Sequence, residues 1–325
     1  MNEIIKEITH ELQDDIVKYE AILKDSLKSN VKLINVVVNY AIKRKGKQFR
    51  PLLCILCSRL NNLLPNDSTF LSAATVEILH VATLLHDDVV DDAYIRRSWP
   101  SVNKIWKNKL SILIGDYMFS KSLNIISKLD KIENIRLLAS ISDRLSEGEI
   151  LQIEKAKKKE MTEDVYYKMI SDKTASLISG ACYLGYVSNG SNMHKENIKN
   201  FGEYLGIAYQ LKDDLFDVVG KLDEIGKSSN LDLKKNMLTL PYIYAINHMG
   251  NDKKKHVISK LKYYYNRKDI KEIKKIIINS GGIEYTESKI KEYSQRAIIE
   301  LNVFDKSKYK DLLIKKIEFN LNRKF

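Results

Sequence analysis

Two clusters of aspartate carry the chemistry that this sequence could do. In LLHDDVVDD, Asp87 and Asp91 are four residues apart and Asp88 follows Asp87 directly. In QLKDDLFD, Asp213, Asp214 and Asp217 repeat the i, i+1, i+4 arrangement. Residues four apart share a helix face, and like charges there repel. An apolar helix that ends in such a cluster therefore suggests a compensating cation. One cluster alone reads equally well as a solvated helix end; a second one on a separate helix could face the first across a cavity. Carboxylate oxygens suit hard cations, and Mg²⁺ usually binds through a few carboxylates plus substrate phosphates. The His and Cys spacings of zinc sites are absent, and neither cluster has the central Gly and twelfth-position Glu of an EF-hand loop. The pattern asks for a polyphosphate held through Mg²⁺.

Cations stand near both clusters. Arg96 and Arg97 follow the first within two turns, and KGKQFRP supplies Lys47 and Arg50. His80 lies seven residues before Asp87, on the same helix face. Lys173 and Thr174 sit in SDKTASL, and Lys227 follows the second cluster in GKSSNLDL. Arginine forks bind phosphate oxygens bidentately, while lysine acts as a point charge. Each alone reads as a surface charge; together they would make anion sites beside both clusters.

The elements that must position these groups are helices. Gly (13) and Pro (4) are about 5 % of the 325 residues, against roughly 12 % in average usage. So few turn formers argue against sandwiches and barrels, and 44 % hydrophobic residues argue against disorder. Helical periodicity predicts elements near 2–27, 69–94, 101–107, 110–129, 162–188, 195–219 and 283–303, among others. Asn66-Asp67-Ser68, Asn189-Gly190 and Gly281-Gly282 mark breaks, and Thr239-Leu240-Pro241 reads as a cap followed by a helix-starting proline. No solenoid repeat or Gly/Ser linker interrupts the chain, so a single all-α domain over 1–325 is expected.

The rest of the composition mainly excludes. Cys54, Cys57 and Cys182 lack partners at metal-ligand spacing and read as buried thiols of a reducing compartment. The net charge of +12 is dispersed, without the aromatic-interleaved basic stripe of a nucleic-acid binder. No apolar run reaches the 18 or more residues that a membrane helix needs, and the acid-containing N-terminus differs from a signal or transit peptide. A soluble, cytoplasmic protein is expected.

Taken in order, KGKQFRP, HDDVVDD, Gly115-Asp116, SEGEILQ, SDKTASL, KDDLFD and the GK…D…TLP tail resemble the motifs of trans-type polyprenyl diphosphate synthases, over roughly residues 46 to 241. HVATLLHDDVVD most resembles the octaprenyl and related bacterial enzymes. The resemblance implies the isoprenoid synthase fold: an all-α domain with helices around a central cavity and two facing Asp-rich motifs. It implies head-to-tail condensation of isopentenyl diphosphate onto an allylic prenyl diphosphate, with several Mg²⁺ ions bridged by diphosphate. Lys47, Arg50, His80 and Arg97 would hold isopentenyl diphosphate. Asp87, Asp91 and Asp213 would ligand Mg²⁺, with Asp88, Asp214 and Asp217 nearby. Arg96, Lys173, Thr174, Gln210 and Lys227 would contact the allylic diphosphate. Thr83 and Ala82, four and five residues before the first Asp, would set chain length by being small. It further implies a homodimer, a long all-trans product for quinone side chains, and at most transient membrane contact for product release. Departures are Lys45 and Gln48 in the first motif, Asn230 where Gly is usual, and Met237 where Lys is common. A short-chain synthase, a class I terpene cyclase and a non-catalytic partner subunit are the competing readings. The full second cluster and the Lys47/Arg50/His80 set weigh against the cyclase, and the survival of both clusters weighs against the partner subunit.

Overall fold

The computed structural model describes residues 3–43, 48–96, 98–158, 160–219, 238–263 and 267–323. Among the described residues the regular elements are helices apart from one hairpin of two-residue strands, as the periodicity predicts. Two units pack separately: 1–141 with 177–199 and 301–315, and 142–176 with 200–300 and 316–325.

The first unit begins with α1 (Glu3–Glu11) and α2 (Gln13–Ser26), which part at Leu12 where one helix over 2–27 is expected. α3 (Lys32–Lys43), α4 (Phe49–Ser58) and α5 (Asp67–Val90) come next. α5 starts on a capping box in which Asn66 accepts from the Thr69 amide and Thr69 accepts from the Asn66 amide, satisfying two orphan donors at once. α6 (Val102–Ser127) breaks its helical geometry at Lys107 (φ 70°), which agrees with two predicted helices meeting there.

α5 is the central helix. Contrary to the sequence expectation, it is long and apolar enough to cross a bilayer, but 67 % of its most apolar stretch is buried in the fold. It packs on α2, α4 and α6. α6 comes close because residue 115 is glycine: a Cβ there would lie 2.2 Å from the His86 ring. The three thiols, Cys54, Cys57 and Cys182, are fully buried, as expected. Burial pushes the Cys54 and Cys57 thiols far up, so they stay protonated and inert.

α5 ends at Val90 rather than at 94, and the segment beyond it fixes Arg96. The main-chain carbonyl of Asp88 accepts from the Ala93 amide at 2.9 Å and from Asn103 Nδ2 at 2.9 Å. Ser101 Oγ donates to the Ala93 carbonyl at 2.7 Å. Between these anchors β1 (Ile95–Arg96) pairs antiparallel with β2 (Trp99–Pro100), a hairpin that the periodicity does not announce.

The second unit holds residues 142–158 of α7 (Ile132–Lys158) and α8 (Glu163–Ile170). The predicted helix over 162–188 is interrupted by a π turn, Ser171–Ala175, before α9 (Ser176–Ser188), which belongs to the first unit from Leu177 on, continues it. α10 (Lys195–Val219), α11 (Leu240–His248), α12 (Asn251–Tyr263), α13 (Arg267–Ile278), α14 (Gly282–Glu300) and α15 (Lys308–Asn322) complete the helices. Thr239 and Pro241 start α11 as expected. Tyr166, Met169, Ile170, Ile207, Leu211, Leu215, Ile243 and Ile290 form a core beneath the π turn.

The π turn is gripped from two sides. A Cβ at Gly148 would lie 3.0 Å from the Lys173 amide nitrogen, and one at Gly206 would lie 2.5 Å from the Ala175 Cα. The approach at Gly206 needs glycine, and the one at Gly148 is tight for any larger residue. Arg144 then fastens the turn: Nε donates to Asp172 Oδ1 at 2.7 Å, and Nη2 donates to Ser171 Oγ at 2.7 Å and Glu203 Oε1 at 2.8 Å. Lys168 reaches Asp172 Oδ2 at 2.9 Å.

Candidate active site

In the first unit, α5 carries Asp87 and Asp91 half-buried at its last turn, with the Asp91 amide donating to the Asp87 carbonyl at 2.8 Å. Asp88 differs: it is 3 % exposed, and its Oδ1 accepts from Arg96 Nε at 2.8 Å. Desolvation is the main influence on its carboxyl and raises it above the ordinary 3.8, with Arg96 opposing. Asp88 thus anchors Arg96, and Nε of the guanidinium is the atom it uses.

Two of the residues expected to bind isopentenyl diphosphate, Arg50 and His80, also meet in this unit. Arg50 Nη1 and His80 Nε2 are 3.1 Å apart. A cavity of about 70 Å³ adjoins His80, which lines it with Tyr40, Glu77, Leu84, Asp88 and Arg96. His80, Thr83 and Asp87 lie along the less buried side of α5, whereas Ala82 is 1 % exposed. Lys47, Arg97 and Lys227 lie outside the described residues, as do Lys45, Asn230 and Met237.

In the second unit, α10 presents Asp213 half-buried and Asp217 exposed, while Asp214 is buried. Asp213 pairs with Arg323 at 3.2 Å. Both oxygens of Asp214 are engaged by neutral donors: Tyr166 Oη at 2.6 Å on Oδ2 and Gln210 Nε2 at 2.7 Å on Oδ1. Burial, then Asp214, raises the Tyr166 phenol well above its usual range, so it remains a donor. Gln210 Oε1 accepts from Thr174 Oγ1 at 2.8 Å. Lys173, in the π turn, pairs with Glu149 and donates to Gln152 Oε1 at 3.1 Å. Thr174, Gln210 and Asp214 are therefore joined by hydrogen bonds, with Lys173 and Asp213 next to them in the chain.

Sequence reasoning missed the residues that hold this neighbourhood. Tyr166, Arg144, Glu203, Lys274 and Arg323 are separated from these partners by 27 positions or more and lie in segments without a motif, so no local signal reports them. Lys173 is the exception in kind: its partners Glu149 and Gln152 both lie in the quoted SEGEILQ.

The donor set fits Mg²⁺. Each cluster offers hard carboxylate oxygens, and the middle aspartate of each is committed to protein donors. Among the described residues no group of three or more His, Cys, Asp or Glu is arranged to hold a metal alone. Mg²⁺ usually binds through one or two carboxylates, with the rest of its shell from phosphate and water.

Known proteins share this arrangement of sequence and fold. The polyprenyl synthetase family matches residues 31–279. Octaprenyl diphosphate synthase of Haemophilus influenzae is 30 % identical over 324 residues, 99 % of this chain and 98 % of its own. The crystal structure of a decaprenyl diphosphate synthase from Rhodobacter capsulatus is similar with a TM-score of 0.92 and 30 % identity, covering 98 % of both chains. A polyprenyl synthase from Caulobacter crescentus, solved with calcium and isoprenyl diphosphate, gives a TM-score of 0.89 and 29 % identity over 98 % of both chains.

Proposed function

Because the chain belongs to the polyprenyl synthetase family and is a prenyltransferase, we propose that it condenses isopentenyl diphosphate onto an allylic prenyl diphosphate, building a long all-trans polyprenyl diphosphate. One observation carries the reading. In each aspartate cluster the middle carboxylate is buried against protein donors, Arg96 at one and Tyr166 with Gln210 at the other. The outer Asp87, Asp91 and Asp213 stand on the less buried side.

The residues then divide the work. Arg50 and His80, with Lys47 and Arg97, hold isopentenyl diphosphate as a bidentate and point-charge set. Arg96, Lys173, Thr174, Gln210 and Lys227 bind the allylic diphosphate and stabilise the charge that grows on it as its C–O bond breaks, which is electrostatic catalysis. Asp87, Asp91 and Asp213 hold Mg²⁺, which when bound supplies Lewis-acid neutralisation of that leaving group. The double bond of isopentenyl diphosphate attacks the allylic cation, and the proton then lost goes to the departed diphosphate. No side-chain nucleophile is required.

The two units read as one polyprenyl synthetase domain, since the family match runs through segments of both. Ile105, Ile112, Leu113 and Leu123 leave large apolar side chains exposed on α6, which supports a homodimer through that face. The product suits quinone side chains, and the enzyme is read as cytoplasmic. Incubation with farnesyl diphosphate, isopentenyl diphosphate and Mg²⁺ tests the reading by product length. Chains of eight to ten isoprene units are expected, from the product names of the relatives. A product one unit longer than the starter would refute the long-chain assignment, and no product would refute the reaction.

A further inference from the structure

The hydrogen bonds around Asp214 form a chain whose direction chemistry fixes. An ionised carboxylate only accepts, so the amide nitrogen of Gln210, 2.7 Å from Asp214 Oδ1, must face it. The amide oxygen then points to Thr174, whose hydroxyl, 2.8 Å away, must donate to it. On the other side Tyr166, fully buried, donates to Asp214 Oδ2 at 2.6 Å. Thus α8, the π turn and α10 are joined in one ordered series: Tyr166 to Asp214, Gln210 to Asp214, Thr174 to Gln210. Removing the phenol hydroxyl would leave a buried carboxylate with one of these two donors. The carboxylate would then lose its fixed rotamer, and with it the Gln210 amide and the Thr174 hydroxyl would lose the order that they hold beside the cluster.

We propose that Tyr166 is a positioning residue of the second aspartate cluster: it holds Asp214 in place and, through Gln210, sets the orientation of the Thr174 hydroxyl. Tyr166 acts through these residues. The inference rests on the proposed reaction for its kinetic arm, while its binding arm needs no turnover.

Tyr166→Phe keeps the ring in the core and removes only the hydroxyl. Partners of this kind, behind a metal or diphosphate contact, are worth about 10- to 100-fold in affinity or activity. The binding arm is calorimetric titration of Mn²⁺ in the presence of inorganic pyrophosphate. Tyr166→Phe should weaken binding by about tenfold, with the circular dichroism spectrum unchanged. The kinetic arm compares Tyr166→Phe, Thr174→Val and the double variant. Because both substitutions break one series, the double variant should lose far less than the product of the two single losses. The KM for isopentenyl diphosphate should stay at the wild-type value, because Arg50 and His80 are untouched. Equal Mn²⁺ affinity in wild type and Tyr166→Phe would overturn the proposal. So would single losses that simply multiply. A wild-type protein that binds Mn²⁺ and pyrophosphate but makes no prenyl product would sink the proposed reaction, leaving the positioning role to the binding arm.

Discussion

Lys274, only 2 % exposed, donates from Nζ to the main-chain carbonyl of Asp217 across 2.7 Å. Asp217 lies in the last turn of α10, where carbonyls have no intrahelical partner, and a cation there also complements the helix dipole. The contact ties α13 to the end of the second aspartate cluster. It comes at the cost of taking an ammonium out of water. Desolvation lowers the Lys274 pKa from the ordinary 10.5, with Asp217 opposing.

That shift gives a pH prediction. A lysine with a depressed folded pKa binds fewer protons when folded than when unfolded, in the window between its folded pKa and 10.5. Unfolding stability therefore rises with pH through that window, because the penalty of the buried charge fades. Lys274→Met lacks this titration. The melting temperature of the wild type relative to Lys274→Met should increase as pH rises through that window toward 10.5. A difference that is flat, or falls, would show that the ammonium is not buried.

The split between outer and middle aspartates predicts unequal mutants. Asp87→Ala and Asp213→Ala each remove a proposed metal ligand and should cut turnover by at least about 10²-fold, the scale of one lost electrostatic stabiliser. Asp88→Asn keeps an acceptor for Arg96 and removes a charge that burial disfavours. It should cost less turnover and leave the melting temperature unchanged or raised. EDTA should abolish wild-type activity, and Mg²⁺ should restore it. Steady-state kinetics and calorimetry on the three variants decide the order.

The clusters were legible because their spacing is local: i, i+1, i+4 on one helix places Asp87 and Asp91 together whatever else the chain does. The helices were legible for the same reason. The features that escaped depend on contacts distant in sequence. Nothing near residue 171 announces a π turn; it results from Arg144, Gly148, Glu203 and Gly206 on other helices. The break after Val90 depends on Asn103 and Ser101, which take up the carbonyls of Asp88 and Ala93. Equally, spacing makes Asp87 and Asp88 alike, and only burial with Arg96 separates their roles.

The clamp on the π turn predicts a substrate-selective defect. Arg144 makes contacts to Ser171, Asp172 and Glu203 that need the fork of a guanidinium. Arg144→Lys cannot reach all three, and Lys173 and Thr174 should lose their fixed placement. The KM for the allylic substrate should rise and kcat fall, with the KM for isopentenyl diphosphate unchanged. Equal increases in both KM values would mean a general loss of structure, which thermal melting would register independently.

Chain length offers the sharpest test of one residue against its neighbour. Thr83 lies one turn before Asp87 on the same, less buried side of α5, about 6 Å along the axis. Ala82 points into the packed interior of the first unit at 1 % exposure. A prenyl tail that leaves the metal cluster along α5 would pass Thr83. Each added methylene gains about 0.8 kcal/mol on burial, so the tail lengthens until a side chain blocks it. Thr83→Phe should set such a block and shorten the product to a few isoprene units in a stable, active enzyme. Ala82→Phe should instead overpack the core, costing about 1–3 kcal/mol, and lower the melting temperature. Chromatography of the dephosphorylated products, run beside thermal melts of both variants, separates the two effects. Unchanged long chains from an active Thr83→Phe would remove this face of α5 from the path of the tail.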